Sequence, residues 1–131
     1  MTERTTINEL LAAARARIDR FEPAQAQAAV RAGALLIDTR DADHRRATGT
    51  IAGAVHVPLS VLFWRLDPGS GFDDPALSDL RRQVILVCAH GYSSSLAAAT
   101  LRDLGFDRAG DVVGGFEAWA TAGLPVMPVV G

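Results

Sequence analysis

Apolar residues recur along the chain in two periods, and the two periods alternate. Ile7, Leu10, Leu11, Ala14 and Ile18 fall three and four residues apart, which predicts a helix from Thr6 to Arg20 with Thr6 or Asn8 as its cap. Phe21-Glu22-Pro23 breaks that pattern, and Pro23 opens an alanine-rich helix running to about Ala32 and stopped by Gly33. The run Ala34-Leu35-Leu36-Ile37 follows, short and bounded by glycine and charge, as expected of a strand buried on both faces. Polar residues 41–47 predict a helix, residues 49–54 a turn, and Val55-His56-Val57 a brief strand closed by Pro58. Helices are expected over 60–66, with Ser60 capping, and over 75–82. Val84-Ile85-Leu86-Val87 is the clearest strand and Ser94 to Leu104 the clearest helix, with Ala97, Leu101 and Leu104 on one face and Gly105 ending it. A strand at Val112-Val113, a Gly114-Gly115 turn and a helix over 116–122 complete the chain. Alternation of this kind predicts an α/β fold with a parallel sheet covered on both faces.

A length of 131 residues suits one core, and 49% hydrophobic with 21% charged residues is ordinary for a folded domain. The formal charge of −2 offers no broad basic field, so nucleic acid is not an expected partner. Every basic residue other than histidine is arginine, a bias of composition that carries no mechanism. The single cysteine excludes an internal disulfide and fits a reducing, cytoplasmic setting. The polar N-terminus is unlike a secretory leader, and no apolar run has the length of a membrane span, so no membrane association is expected.

That cysteine, Cys88, sits where chemistry is expected. Cys88-Ala89-His90-Gly91-Tyr92-Ser93-Ser94 leaves the carboxyl end of the best strand and opens the best helix, the edge at which open α/β sheets bind ligands. Amides at a helix start lack intrahelical partners, and a tight loop aims more of them at one point, forming an anion cradle. Gly91 permits the backbone angle such a loop needs. A cysteine at the base of the cradle loses its proton more readily, and the same amides would hold a persulfide or an anionic donor. The competing reading is a buried, inert thiol.

The loop resembles the Cys-x-x-Gly-x-Arg-Ser segment of rhodanese-family domains, and three further segments agree in order. Leu36-Ile37-Asp38-Thr39-Arg40 is similar to the family's Asp-x-Arg strand end, and Gly49-Thr50-Ile51-Ala52-Gly53-Ala54 to its Gly-His-Ile-x-Gly-Ala turn. Gly114-Gly115-Phe116-Glu117-Ala118-Trp119 is similar to its Gly-Gly-x-x-x-Trp segment. The resemblance implies a rhodanese fold, a five-stranded parallel sheet flanked by helices on both faces. It sets a domain over 21–131 behind an N-terminal helical extension, 1–20. It implies a sulfurtransferase or persulfide carrier: Cys88 takes sulfur from thiosulfate or another donor and passes it to a thiophilic acceptor, with no cofactor. The amides of Ala89, His90, Gly91, Tyr92, Ser93 and Ser94 would form the cradle, with Asp38 and Arg40 as supports. The chain departs from the family at Ser93, where an arginine is usual, and at Thr50, where a histidine is usual. Arg65 is the one candidate for a replacement cation at the mouth of the site; the alternative is a surface role on its helix.

Other residues admit plainer readings. His90 either influences the sulfur or lends only its amide, and Tyr92 either walls the pocket or packs outside it. The spacings of His44, His56, His90 and Cys88 match no compact ligand motif, so no metal is expected. Trp64 and Trp119 read as core aromatics, and Arg45-Arg46 as a solvated face. The first helix would cover a sheet face or mediate a homodimer. Two rival functions stand beside sulfur transfer. One is a redox sensor or binding module, for which a lone exposed thiolate is suited. The other is a phosphatase or arsenate reductase, whose chemistry calls for an arginine where Ser93 and Ser94 stand.

Overall fold

A computed structural model describes residues 3–129; the extreme ends of the expected extension and domain lie outside the described residues. The elements are α1 (Ile7–Arg15), β1 (Asp19–Phe21), α2 (Pro23–Arg31), β2 (Leu35–Asp38), α3 (Ala42–Thr48), β3 (Val55–His56), α4 (Leu62–Leu66), β4 (Val84–Val87), α5 (Ser93–Asp103), β5 (Ala109–Val112) and α6 (Gly115–Thr121). The strands form one parallel sheet in the order β1-β5-β4-β2-β3. This is the α/β architecture expected, with β4 at its centre.

Alternation along the central strands divides the core into two layers. Leu35, Ile37, Val84 and Leu86 face Ala14 of α1, Leu62 and Leu66 of α4, and Ala97, Ala98 and Leu101 of α5. Leu36, Ile85 and Val87 face Ala26 of α2 and Phe116 and Trp119 of α6. Trp119 is core as expected, whereas Trp64 is 55% exposed. Among the described residues, no helix is long and apolar enough to cross a membrane.

Four elements differ from the sequence expectation, one of them β5, which spans Ala109–Val112 where the expected strand is Val112-Val113. The first helix stops at Arg15, and residues 19–21 instead form β1, pairing Asp19, Arg20 and Phe21 with Gly110, Asp111 and Val112. A three-residue edge strand has no apolar run of its own; the sheet creates it. It crosses the 20/21 boundary, so the last residues of the expected extension are part of the sheet. The expected helix over 75–82 is a series of turns. There the carboxylates of Asp74 and Asp79 accept from the amides of Ala76 and Arg81, and those local bonds compete with the helical ladder. Finally, α4 starts at Leu62 behind Val61, with no side-chain cap from Ser60. Thr6, not Asn8, caps α1, in a reciprocal capping box with Glu9.

Candidate active site

Beyond Val87 the chain turns through Cys88 to Tyr92 and enters α5, with Tyr92 as N-cap. The outer side of the turn is fixed by α6. Phe116 N–H donates to the Cys88 carbonyl at 2.8 Å and Glu117 N–H to the Ala89 carbonyl at 3.1 Å. Contact this close requires two glycines. A Cβ on Gly91 (φ +83°) would lie 2.7 Å from Gly114 N, and one on Gly115 (φ +64°) 2.5 Å from the Cys88 carbonyl oxygen.

A trans peptide points its N–H opposite its C=O. With the carbonyls of Cys88 and Ala89 turned toward α6, the amides of Ala89 and His90 point to the other side. The Gly91 amide donates to Cys88 Sγ at 3.1 Å. Cys88 Sγ and Ser94 Oγ are hydrogen-bonded at 3.2 Å. Burial pushes the Cys88 thiol pKa up. The hydroxyls of Ser94 and Ser93, then the amides of Ser94 and Gly91, outweigh burial and hold it below the ordinary thiol value. Two expectations change here. Hydroxyls lead the main-chain amides in favouring the thiolate, and Cys88 is not an exposed thiolate, since it keeps only 5% of its surface in solvent.

The other expected site residues divide. Asp38 and Arg40 are buried together: Arg40 Nε and Nη2 donate to Oδ1 and Oδ2 of Asp38 at 3.0 and 2.8 Å, and its other donors reach Thr48 Oγ1 and the Gly49 carbonyl. His56 Nε2 lies 2.7 Å from the Arg40 carbonyl. Thr50, at the position of the family's histidine, accepts from Arg45. His90 is exposed, its Nδ1 2.6 Å from Glu117 Oε2. The Tyr92 ring lies outside the loop, 62% exposed, with the Arg15 guanidinium 5.5 Å from its centroid. Arg65 donates to the Phe72 carbonyl at 2.7 Å and stands 3.7 Å from Asp74, so its guanidinium is committed to the loop after α4. Among the described residues it makes no hydrogen bond or ion pair with the Cys88 loop. Beside the loop, a groove of about 470 Å³ runs between α3 and α6, lined by His44, Thr48, Ala89, His90 and Phe116 among others.

Four residues around the loop escaped the sequence reading: Arg15, Arg20, Ser95 and Asp111. Arg15 Nη2 and Arg20 Nη2 both donate to the Gly91 carbonyl, at 2.8 and 3.2 Å. Arg20 also pairs with Asp111, which is fully buried and accepts from both Ser94 and Ser95. One signal was available: an aspartate inside an otherwise apolar or small-residue strand, Ala109–Val112.

Comparison with known proteins bears on the family and the fold. The family model described as Rhodanese-like domain matches residues 22–122. A thiosulfate sulfurtransferase GlpE from Stutzerimonas stutzeri is 41% identical over 100 residues, 76% of this chain and 83% of that protein. One from Pseudomonas savastanoi is 42% identical over 100 residues, 76% of this chain and 85% of that protein. Among solved structures, a protein of unknown function from Rhodopseudomonas palustris, described as a possible tyrosine phosphatase, superposes with a TM-score of 0.86. It is 29% identical, over 96% of this chain and 97% of that one. The polysulfide-sulfur transferase homodimer of Wolinella succinogenes gives a TM-score of 0.70 at 26% identity, over 89% of this chain and 83% of that one.

Proposed function

The chain belongs to the rhodanese-like domain family, and from that membership we propose that it is a sulfurtransferase working through a Cys88 persulfide, with thiosulfate as donor. The Cys88 thiolate attacks the outer sulfur of thiosulfate. A new S–S bond forms, the bond to the sulfonyl sulfur breaks, and sulfite leaves with the electron pair. A thiophilic acceptor, a cellular thiolate or cyanide, then attacks the outer sulfur of Cys88–S–S⁻ and returns the thiolate. No oxidant or cofactor enters either step.

The single observation that carries this reading is the pair of hydrogen bonds at Cys88 Sγ, one from the Gly91 amide and one shared with the Ser94 hydroxyl, at the opening of α5. They favour the thiolate as nucleophile and as leaving group. The remaining loop amides, from Ala89 to Ser94, are suited to the anionic donor and the outer persulfide sulfur. Asp38 and Arg40 brace the neighbouring turn. Of the extension, residues 3–20 carry α1, whose Ala14 packs in the core with Ala97, Ala98 and Leu101 of α5, and the first two residues of β1. A reducing cytoplasm suits the single thiol.

A phosphatase of this architecture would need a guanidinium inside the loop. Positions 93 and 94 are serines, and Arg15 and Arg20 approach the Gly91 carbonyl from its outer side. Intact mass spectrometry after thiosulfate exposure tests the proposal: one added sulfur on the wild type and none on Cys88→Ser. The proposal fails if thiosulfate, mercaptopyruvate and polysulfide all leave Cys88 unmodified. Brisk turnover of an aryl phosphate would favour the phosphatase instead.

A further inference from the structure

The Gly91 carbonyl accepts hydrogen bonds from two side chains of the N-terminal segment. Arg15 of α1 reaches it at 2.8 Å and Arg20 of β1 at 3.2 Å. The peptide that carries this carbonyl carries the Tyr92 amide on its opposite side. Fixing the one therefore aims the other. Arg15 also donates from Nε to Ser95 Oγ at 3.2 Å, and Ser95 Oγ lies 2.7 Å from Asp111 Oδ2. Arg20 Nε is 2.9 Å from Asp111 Oδ1, and its Nη2 is 3.3 Å from Oδ2.

Ser94 links this cluster to the reacting sulfur, through a shortage of hydrogens. Its Oγ is 3.2 Å from Cys88 Sγ and 2.8 Å from Asp111 Oδ2. A hydroxyl has one hydrogen, and a carboxylate only accepts. With Cys88 as a thiol, S–H donates to Ser94 and Ser94 donates to Asp111. With Cys88 as a thiolate, the Ser94 hydrogen must turn to the sulfur. Asp111 can release it only because Arg20 and Ser95 still hold both carboxylate oxygens.

We propose that Arg15 and Arg20 are positioning residues for sulfur transfer. From outside the loop they fix the Gly91 carbonyl and the Asp111 carboxylate, and through these groups they aim the Tyr92 amide across the loop and free the Ser94 hydrogen for Cys88 Sγ. The proposal rests on the sulfurtransferase reading for its purpose. The cation missing at position 93 is replaced, on this account, by two that act through the backbone and a buried carboxylate without touching the donor.

The charged groups facing the loop are Arg15 on α1, Arg20 on β1, Asp111 on β5, and the exposed His90–Glu117 pair on the α6 side. Only the first three are varied in the test. Thiolate absorbance is followed against pH, with Cys88→Ser subtracted, for the wild type, R20Q, D111N, R15Q and R15K, each checked for folding by circular dichroism. R20Q leaves Asp111 dependent on the Ser94 hydrogen, so its midpoint should rise by about one unit, a tenfold loss of thiolate at a fixed pH below it. D111N frees that hydrogen, so its midpoint should fall. R15Q should raise the midpoint less than R20Q, with partial return in R15K. A scaffold-only role would move R20Q and D111N in the same direction, and that result, or unshifted midpoints in folded proteins, overturns the proposal. If R20Q does not fold, R15Q decides, because it removes only a half-buried side chain; a wild-type midpoint in R15Q overturns the assignment. The titration needs no sulfur donor, so its failure is distinct from a failure of Cys88 to accept sulfur.

Discussion

The Arg40 guanidinium lies 3.8 Å from the centre of the Phe116 ring. Phe116 in turn donates its amide to the Cys88 carbonyl. The end of β2 is thus joined to the nucleophile through one cation–aromatic contact and one main-chain bond. Arg40→Ala removes the cation and leaves Asp38 buried with Arg45, 3.4 Å away, as its nearby charge and the residue-40 amide, at 3.1 Å, as a donor. Breaking a buried pair from one side costs about 3–5 kcal/mol, and the remaining arginine places this case near 3. Urea unfolding of Arg40→Ala and Asp38→Asn checks it: both should lose stability, the arginine variant more.

Ser94→Ala removes the largest of the influences that lower the Cys88 pKa. The sign follows from which form the hydroxyl favours. A donor to the thiolate stabilises the ionised state, so its loss raises the thiol pKa, and the rate of persulfide loading at neutral pH falls. A hydrogen bond to a charged group is worth about 1.5–3 kcal/mol, so a loss of about tenfold or more is expected. The rate should recover as pH rises, because the alkaline limit has full thiolate in either protein. Single-turnover loading with thiosulfate across a pH series separates this from a general loss of fit, which no pH would restore.

The parts of the molecule legible in the sequence are those fixed by local pattern. Leu35–Asp38 and Val84–Val87 are buried on both faces, and the apolar runs Ala34-Leu35-Leu36-Ile37 and Val84-Ile85-Leu86-Val87 say so. Cys88 and its loop were legible because a strand, a glycine and a helix start follow one another there. What sequence could not reach was created by contact between distant segments. Asp19–Phe21 is a strand only because β5 pairs with it. Arg15 and Arg20 matter only because folding brings them more than 70 residues along the chain to Gly91. Asp111 is intelligible only with Arg20 opposite it.

Gly91→Ala and Gly115→Ala test the seam between the loop and α6. Each adds one carbon where the backbone has no room, and each forces a side chain into a positive φ. The loop must then move away from α6, breaking the bonds to the Cys88 and Ala89 carbonyls. A misplacement of about 1 Å at a reacting group costs about a hundredfold in rate. Loading by thiosulfate should fall by that order in both variants, while the circular dichroism of the folded variants remains that of an α/β protein. Near-normal loading would show that the seam does not position the sulfur.

Ser93→Arg puts a guanidinium at the position where the family's pattern carries one. Ser93 is exposed at the first turn of α5, so the new side chain has space outside the core. Thiosulfate is a dianion, and an exposed charge contact contributes about 0.2–1 kcal/mol, which corresponds to a fall of about 1.4- to fivefold in KM for thiosulfate. The turnover number should not rise with it. A cation that meets donor and transition state equally lowers KM alone, and the variant also loses the Ser93 hydroxyl, one of the groups holding the thiol pKa down. Raising the ionic strength should erase the gain, since the contact is screened. Steady-state kinetics at low and high salt read both effects, and a KM indifferent to the substitution would mean that the donor approaches Cys88 without passing position 93.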